Sequence, residues 1–205
     1  MSWESPIVRV PTGYLNATDD LYPGGGSGSN KYGGQLGKMI TLTNAQAAQL
    51  SKTSTGTLYA GVYQYVKVKA GATPAVRGAA YFWDNAVAPG LFQVVQIESS
   101  TTLTASSLAG FALNTITAGQ YGWIQVAGIA SAKYVAAITG TKATGRPVFI
   151  SIAGTTSIGL VDVVDDLTTT AGTRFFDRFI GWAVDLPADG AVGRVNVTLP
   201  MSPRG

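Results

Sequence analysis

The sequence predicts an all-β protein: a barrel- or sandwich-like body built from two similar strand–turn repeats, with an extended N-terminal arm and one short helix. Three observations predict it. From Thr57 onward, short stretches rich in aromatic and β-branched residues are broken by Gly, Pro, Asn or Asp, the period-two pattern of half-buried strands. Segments 71 residues apart resemble one another without a gap. Helix signals are confined to a single place near residue 45.

The elements follow in chain order. Residues 1–37 read as an arm: Ile7-Val-Arg-Val10 suits one short strand, stopped by Pro11, and Pro23-Gly-Gly-Gly-Ser-Gly-Ser-Asn30 has the composition of a flexible linker. Such glycines are costly to order unless a partner holds them, so the arm either orders on a neighbouring subunit or another partner's surface, or stays a surface loop. The N-terminus has neither the basic start nor the apolar core of a secretory signal. Residues 38–205 form the body. Thr43-Asn-Ala-Gln46 fits a capping box, followed by helix formers to Leu50. Leu58–Val62 and Tyr63–Val68 then open the strand-rich part.

The repeat has two copies, at about 66–130 and 133–199. Gly110-Phe-Ala-Leu-Asn114 corresponds to Gly181-Trp-Ala-Val-Asp185, and Ala118–Val126 to Asp189–Val197; Gly78–Trp83 resembles Gly145–Ile150 at a shorter offset. Each copy reads as strand, Gly-bearing turn, strand, long connection, strand, tight turn, strand. The closing hairpin turns at Gly119 or Gly190, and two half-barrels packed into one body are the economical arrangement. In the last strand Trp123 and Gln125, or Arg194 and Asn196, alternate with apolar residues, so one face is buried and the other exposed or interfacial.

Composition excludes much chemistry. With His 0 and Cys 0, disulfides, imidazole or thiolate metal sites, a Cys nucleophile and a Ser-His-Asp relay all fall away. Charged residues are 12% of the chain and the net charge is +3, with basic residues scattered singly; nothing here tracks phosphates, and no nucleic-acid partner is expected. The uncharged stretch 99–132 is interrupted by Thr, Ser, Asn, Gln and Gly, so no membrane span is expected. Gly37-Lys38 lacks the upstream Gly and the following Ser or Thr of a P-loop, and Gly26–Lys31 lacks the closing Gly of a dinucleotide fingerprint. Asp162, Asp165 and Asp166, with Asp177 further on, do not match an EF-hand and read as a solvated connection rather than a Ca²⁺ site. Asp84 and Glu98 are the nearest thing to a carboxylate pair for sugar cleavage, without supporting spacing. Asn16 and Asn196 head glycosylation-type triplets of little specificity. No enzyme, cofactor or metal is expected.

What remains is surface. Arg174-Phe-Phe-Asp-Arg-Phe-Ile180 packs Phe175, Phe176 and Phe179 between opposite charges; either one aromatic faces outwards, as interfaces favour, or the segment bends and buries all three. With Trp182 in the same stretch, and Trp123 and Arg194 on the alternating face, these six are the candidate interface residues.

Gly119-Gln-Tyr-Gly-Trp-Ile-Gln-Val126, Ile180–Asp185 and Gly190-Ala-Val-Gly-Arg-Val-Asn-Val197 resemble a pattern of tailed-bacteriophage capsid decoration proteins, also described as cement or head-associated proteins, over roughly 66–199. The resemblance implies an all-β virion protein: a homotrimer bound to the major capsid protein on the capsid exterior, stabilising the shell without catalysis. A tail or fibre adhesin for a host receptor or glycan is the alternative.

Overall fold

The computed structural model describes residues 36–37, 39–51, 57–71, 77–84, 92–95, 108–113, 116–138, 140, 143–151, 160–163, 179–185 and 187–198. The expected arm before Leu36, together with Glu98, Asp165, Asp166, Phe175, Phe176 and Asp177, lies outside them.

Among the described residues there is one helix and ten strands: β1 (Met39–Leu42), α1 (Asn44–Ser51), β2 (Gly61–Val68), β3 (Ala80–Trp83), β4 (Gln93–Val95), β5 (Leu108–Ala112), β6 (Tyr121–Lys133), β7 (Pro147–Ile150), β8 (Val161–Val163), β9 (Phe179–Ala183) and β10 (Val192–Val197). The all-β expectation holds. The two strands expected between Leu58 and Val68 are a single one, β2, whose register against β6 slips between Val62 and Tyr63. No helix among the described residues is long and apolar enough to cross a membrane.

The capping box is formed as its residues dictate. Thr43 Oγ1 accepts from the Gln46 amide at 3.3 Å, and Gln46 Oε1 accepts from the Thr43 amide at 2.9 Å. Two amides at the start of α1 are thereby satisfied by side chains.

The strand pairings close two rings. In the first, β2 pairs β4 in parallel, β4 pairs β3, β3 pairs β5, β5 pairs β6, and β6 returns to β2. In the second, β6 pairs β10, β10 pairs β9, β9 pairs β7 and β7 pairs β8. A parallel bridge from Tyr134 to Val161, with the Val135 amide donating to the Val161 carbonyl at 3.0 Å, returns β8 to the end of β6. Each copy thus completes its own ring rather than contributing half of a common one. The 13-residue β6 belongs to both. Its first half faces β2 and its second half faces β10, with the handover at Gly128, which sits opposite both Gly61 and Val197.

The rings are the same construction. A shift of 67 residues carries Ala80, Tyr81 and Phe82 onto Pro147, Val148 and Phe149, and a shift of 71 carries Phe111, Gly110 and Leu108 onto Trp182, Gly181 and Phe179; these residues face one another in the same order in both rings. Even the register slip recurs, after Tyr81 in one and after Val148 in the other. Both closing hairpins turn on a glycine at positive φ, Gly119 (80°) and Gly190 (74°), whose amides donate to the Val68 and Val135 carbonyls. Only glycine takes that conformation without strain.

The interiors are filled by matching apolar residues, among them Tyr81, Trp83, Val94 and Ile124 in the first ring and Val148, Ile150, Val161 and Val195 in the second, within one continuous core. A second cluster lies on the outside of the first ring. There β1 pairs β2, and Ile40, Leu42 and Ala47, with Leu36, pack onto Tyr63, Tyr65, Leu113, Tyr121 and Trp123.

Candidate functional site

The outer face of the second ring is the candidate site. Alternation along β10 sends Val195 and Val197 inwards and leaves Val192, Arg194 and Asn196 outside. Trp182 stands opposite Asn196 on β9, and Ile129, Ser131 and Lys133 of β6 stand opposite Asn196, Arg194 and Val192. Trp182 is 44% exposed and Val192 41%; with Met39 they are the exposed large hydrophobics of the described chain.

Aromatic packing stiffens one edge of this face. Phe149, Phe179 and Trp182 form an edge-to-face series with centroid separations of 5.8 and 5.3 Å, the arrangement that ring quadrupoles favour. The other edge is electrostatic. Asp185 accepts from the Arg194 backbone amide and from Arg194 Nε, both at 2.5 Å, while the guanidinium lies 5.8 Å from the Tyr59 ring. The hydrogen bond that Arg194 donates to Asp185, and the charge of Asp185, hold the Arg194 pKa above its ordinary value. Pairing with Asp185 neutralises Arg194 locally. The result is a mixed face on which Asn196 lies between Trp182 and Ile129, and Arg194 between Val192 and Asn196 along β10; exposed aromatics and Arg are residues that protein–protein interfaces favour.

The six candidate residues are distributed unequally. Trp182, Phe179 and Arg194 come together on this face. Trp123 is the first-ring equivalent of Arg194, yet it is 4% exposed, its ring 5.2 Å from that of Tyr65 beneath the β1–α1 cover. Phe175 and Phe176 lie outside the described residues. Sequence reasoning did not single out Val192, Ile129 or Lys133. A position-by-position reading of the two copies would have found them. The first ring sets Tyr63, Tyr65, Tyr121 and Trp123 on its outer face where the second sets Ile129, Ser131, Val192 and Arg194.

The carboxylates offer no assembled centre among the described residues. Asp84 is buried and held by Gln93 Nε2 at 2.8 Å and Lys69 Nζ at 3.2 Å, which locks the end of β3 to β4. Asp162, on β8, accepts from the Val163 amide at 2.8 Å. No described group of three or more acidic, His or Cys side chains could hold a metal ion.

No family model matches the chain, and no curated protein matches it. Among solved structures, it is similar to the crystal structure of the head fiber gp8.5 N base of bacteriophage phi29, with 12% identity and a TM-score of 0.40 over 66% of this chain and 92% of that one.

Proposed function

We propose that this chain is a structural protein of a tailed-phage virion, a decoration protein that binds the major capsid protein on the capsid exterior, acts as a homo-oligomer and carries out no catalysis. One observation carries the reading. Among the described residues, the outside of the first ring is covered and the equivalent outside of the second ring is not, with Trp182 and Val192 exposed. Exposed aromatics beside a neutralised Arg are what association surfaces use. The sparse charge of the chain, 12% of residues, leaves little like-charge repulsion to oppose dense packing.

The mechanism is mass action. A protein that binds the assembled shell but not its loose subunits stabilises the shell by RT ln(1 + [L]/Kd), about 2.7 kcal/mol per site at a hundredfold excess over Kd. Oligomerisation multiplies modest single contacts into avidity. The test is co-sedimentation with assembled capsids and, separately, with dissociated capsid subunits. Binding to shells alone, with a raised shell melting temperature, is the expected result; equal binding to free subunits, or none to shells, overturns it.

A host-glycan adhesin is the second reading, favoured by the Phe179–Trp182 edge-to-face pair, since an exposed aromatic platform suits a sugar face. It predicts retention on host-cell polysaccharide and none on capsids.

A further inference from the structure

The bare face follows from the topology. In the first ring the opening strand β2 is preceded by the strip from Leu36 to Ser51, which folds back over Tyr63, Tyr65, Leu113, Tyr121 and Trp123. In the second ring the opening strand is the second half of β6, and what precedes it is the first ring's own closing strand. Sharing a strand has left the second ring without chain of its own at that point. Among the described residues, two equivalent faces therefore have one cover between them.

We infer that the missing cover is the N-terminal segment, residues 1–35, of a second copy of this chain, laid across Ile129, Trp182, Val192 and Asn196. This deepens the proposed homo-oligomer by naming which segment meets which face. Three observations support it.

The first is the length of that segment and where it ends. Thirty-five residues precede Leu36, enough to reach on the order of 100 Å when extended. They join the body at Gly37, whose amide donates to the Tyr65 carbonyl at 2.8 Å and whose carbonyl accepts from Gln64 Nε2 at 3.3 Å. The Phe92 ring, just before β4, lies against Gly37. That is the β4 side of β2, whereas β6 and the second ring lie beyond the opposite edge of β2. The segment joins its own body on the side away from its own bare face.

The second is pattern. In β1, Ile40 and Leu42 alternate inwards to make the first ring's cover. Ile7-Val-Arg-Val10 offers the same alternation through Val8 and Val10, ended by Pro11. The third is charge: the segment holds Glu4, Asp19 and Asp20 against Arg9 and Lys31, an acidic excess of one, while the face carries Lys133, opposite Val192, beside the Asp185-paired Arg194. Because β2 already pairs with β6 at Ala127 and Gly128, the segment packs on the face rather than extending the sheet. A contact from the arm of one copy to the ring of the next is heterologous, the kind that builds a closed ring of subunits where the rotation between copies closes and an open filament where it does not; in a closed ring each arm binds at high effective concentration.

Because the chain has no cysteine, the test is clean. The single variants Val10→Cys and Asn196→Cys are purified separately, mixed and mildly oxidised; a mixed disulfide can form only between chains. The control mixture pairs Val10→Cys with Ala48→Cys, an exposed position on α1. The expected result is roughly tenfold more cross-linked heterodimer with Asn196→Cys than with the control. Equal yields overturn the inference, as does a Val10→Cys, Asn196→Cys double variant that closes only within one chain. No capsid takes part, so failure here is separate from failure of capsid binding.

Discussion

The outer faces of the two rings occupy the same positions on the same backbone, yet one is interior and the other surface. Tyr121 and Val192 are equivalent, and so are Trp123 and Arg194; the first member of each pair is 7% and 4% exposed, while Val192 is 41% exposed. The backbone pattern, down to the repeated register slip, is indifferent to this difference. What separates the faces is the strip β1–α1, present for one ring only. Duplicated rings thus teach that side chains on a strand's outer face record what lies above them, aromatic where a cover is supplied and mixed where it is not.

The largest expected effect breaks the equivalence directly. Phe111→Ala should destabilise by about 3–5 kcal/mol, because its site is fully enclosed. Trp182→Ala, at the same place in the second ring, should change stability by under about 1 kcal/mol; chemical denaturation of both variants measures the contrast. Next come substitutions at equivalent glycines of the two rings. A Cβ at Gly110 would stand 2.6 Å from the Gln125 carbonyl oxygen, and one at Gly181 would meet the equivalent Asn196 carbonyl oxygen. Gly110→Ala should cost about 1–3 kcal/mol and Gly181→Ala more, because Gly181 also holds φ 154°, a backbone conformation that side chains rarely adopt; a smaller cost at Gly181 would contradict this.

Smaller effects sharpen the role of the cover. Thr43→Ala removes the cap of α1 and should cost about 1 kcal/mol, a fall of roughly 2–4 °C in Tm for a chain of this size. Amide exchange should speed up around Tyr65 and Trp123 and stay unchanged in β9 and β10. The smallest effect concerns Tyr134, which is buried with no hydrogen-bond partner for its hydroxyl among the described residues. Burial, and secondarily the Asp185 charge, push its pKa well above the usual phenol range; burial does the same for Tyr63. The unfolded chain therefore releases these protons first, near pH 10, so stability is fully present below that pH and falls as pH rises beyond it. Tyr134→Phe should leave stability at pH 7 within about 1 kcal/mol and shift the alkaline unfolding midpoint upwards.

How much of this was legible in the sequence depends on how local each signal is. The capping box at Thr43 and Gln46, the turn glycines Gly119 and Gly190, and the outward alternation of Arg194 and Asn196 are dictated by a few neighbouring residues, and they can be read directly. Two closed rings could not be read in the same way, since closure rests on the parallel pairings of β2 with β4 and of Tyr134 with Val161, contacts between segments that no local pattern links. The double use of β6 hid behind an ordinary long apolar stretch. Trp123 and Arg194 looked alike as candidates because alternation identifies an outer face but cannot say whether another part of the chain lies over it. The aromatic character of Tyr63, Tyr65 and Tyr121 was the available clue.

The central claim is that the bare face of the second ring is an association surface, and the solution mass of the native protein against that of Trp182→Glu tests it most directly. A single chain is 21.2 kDa. Sedimentation equilibrium at micromolar concentration should give a multiple of that mass for the native protein and the single-chain mass for Trp182→Glu, with both melting at closely similar temperatures. A native protein that sediments as one chain, or a Trp182→Glu variant that keeps the native mass, would contradict the account.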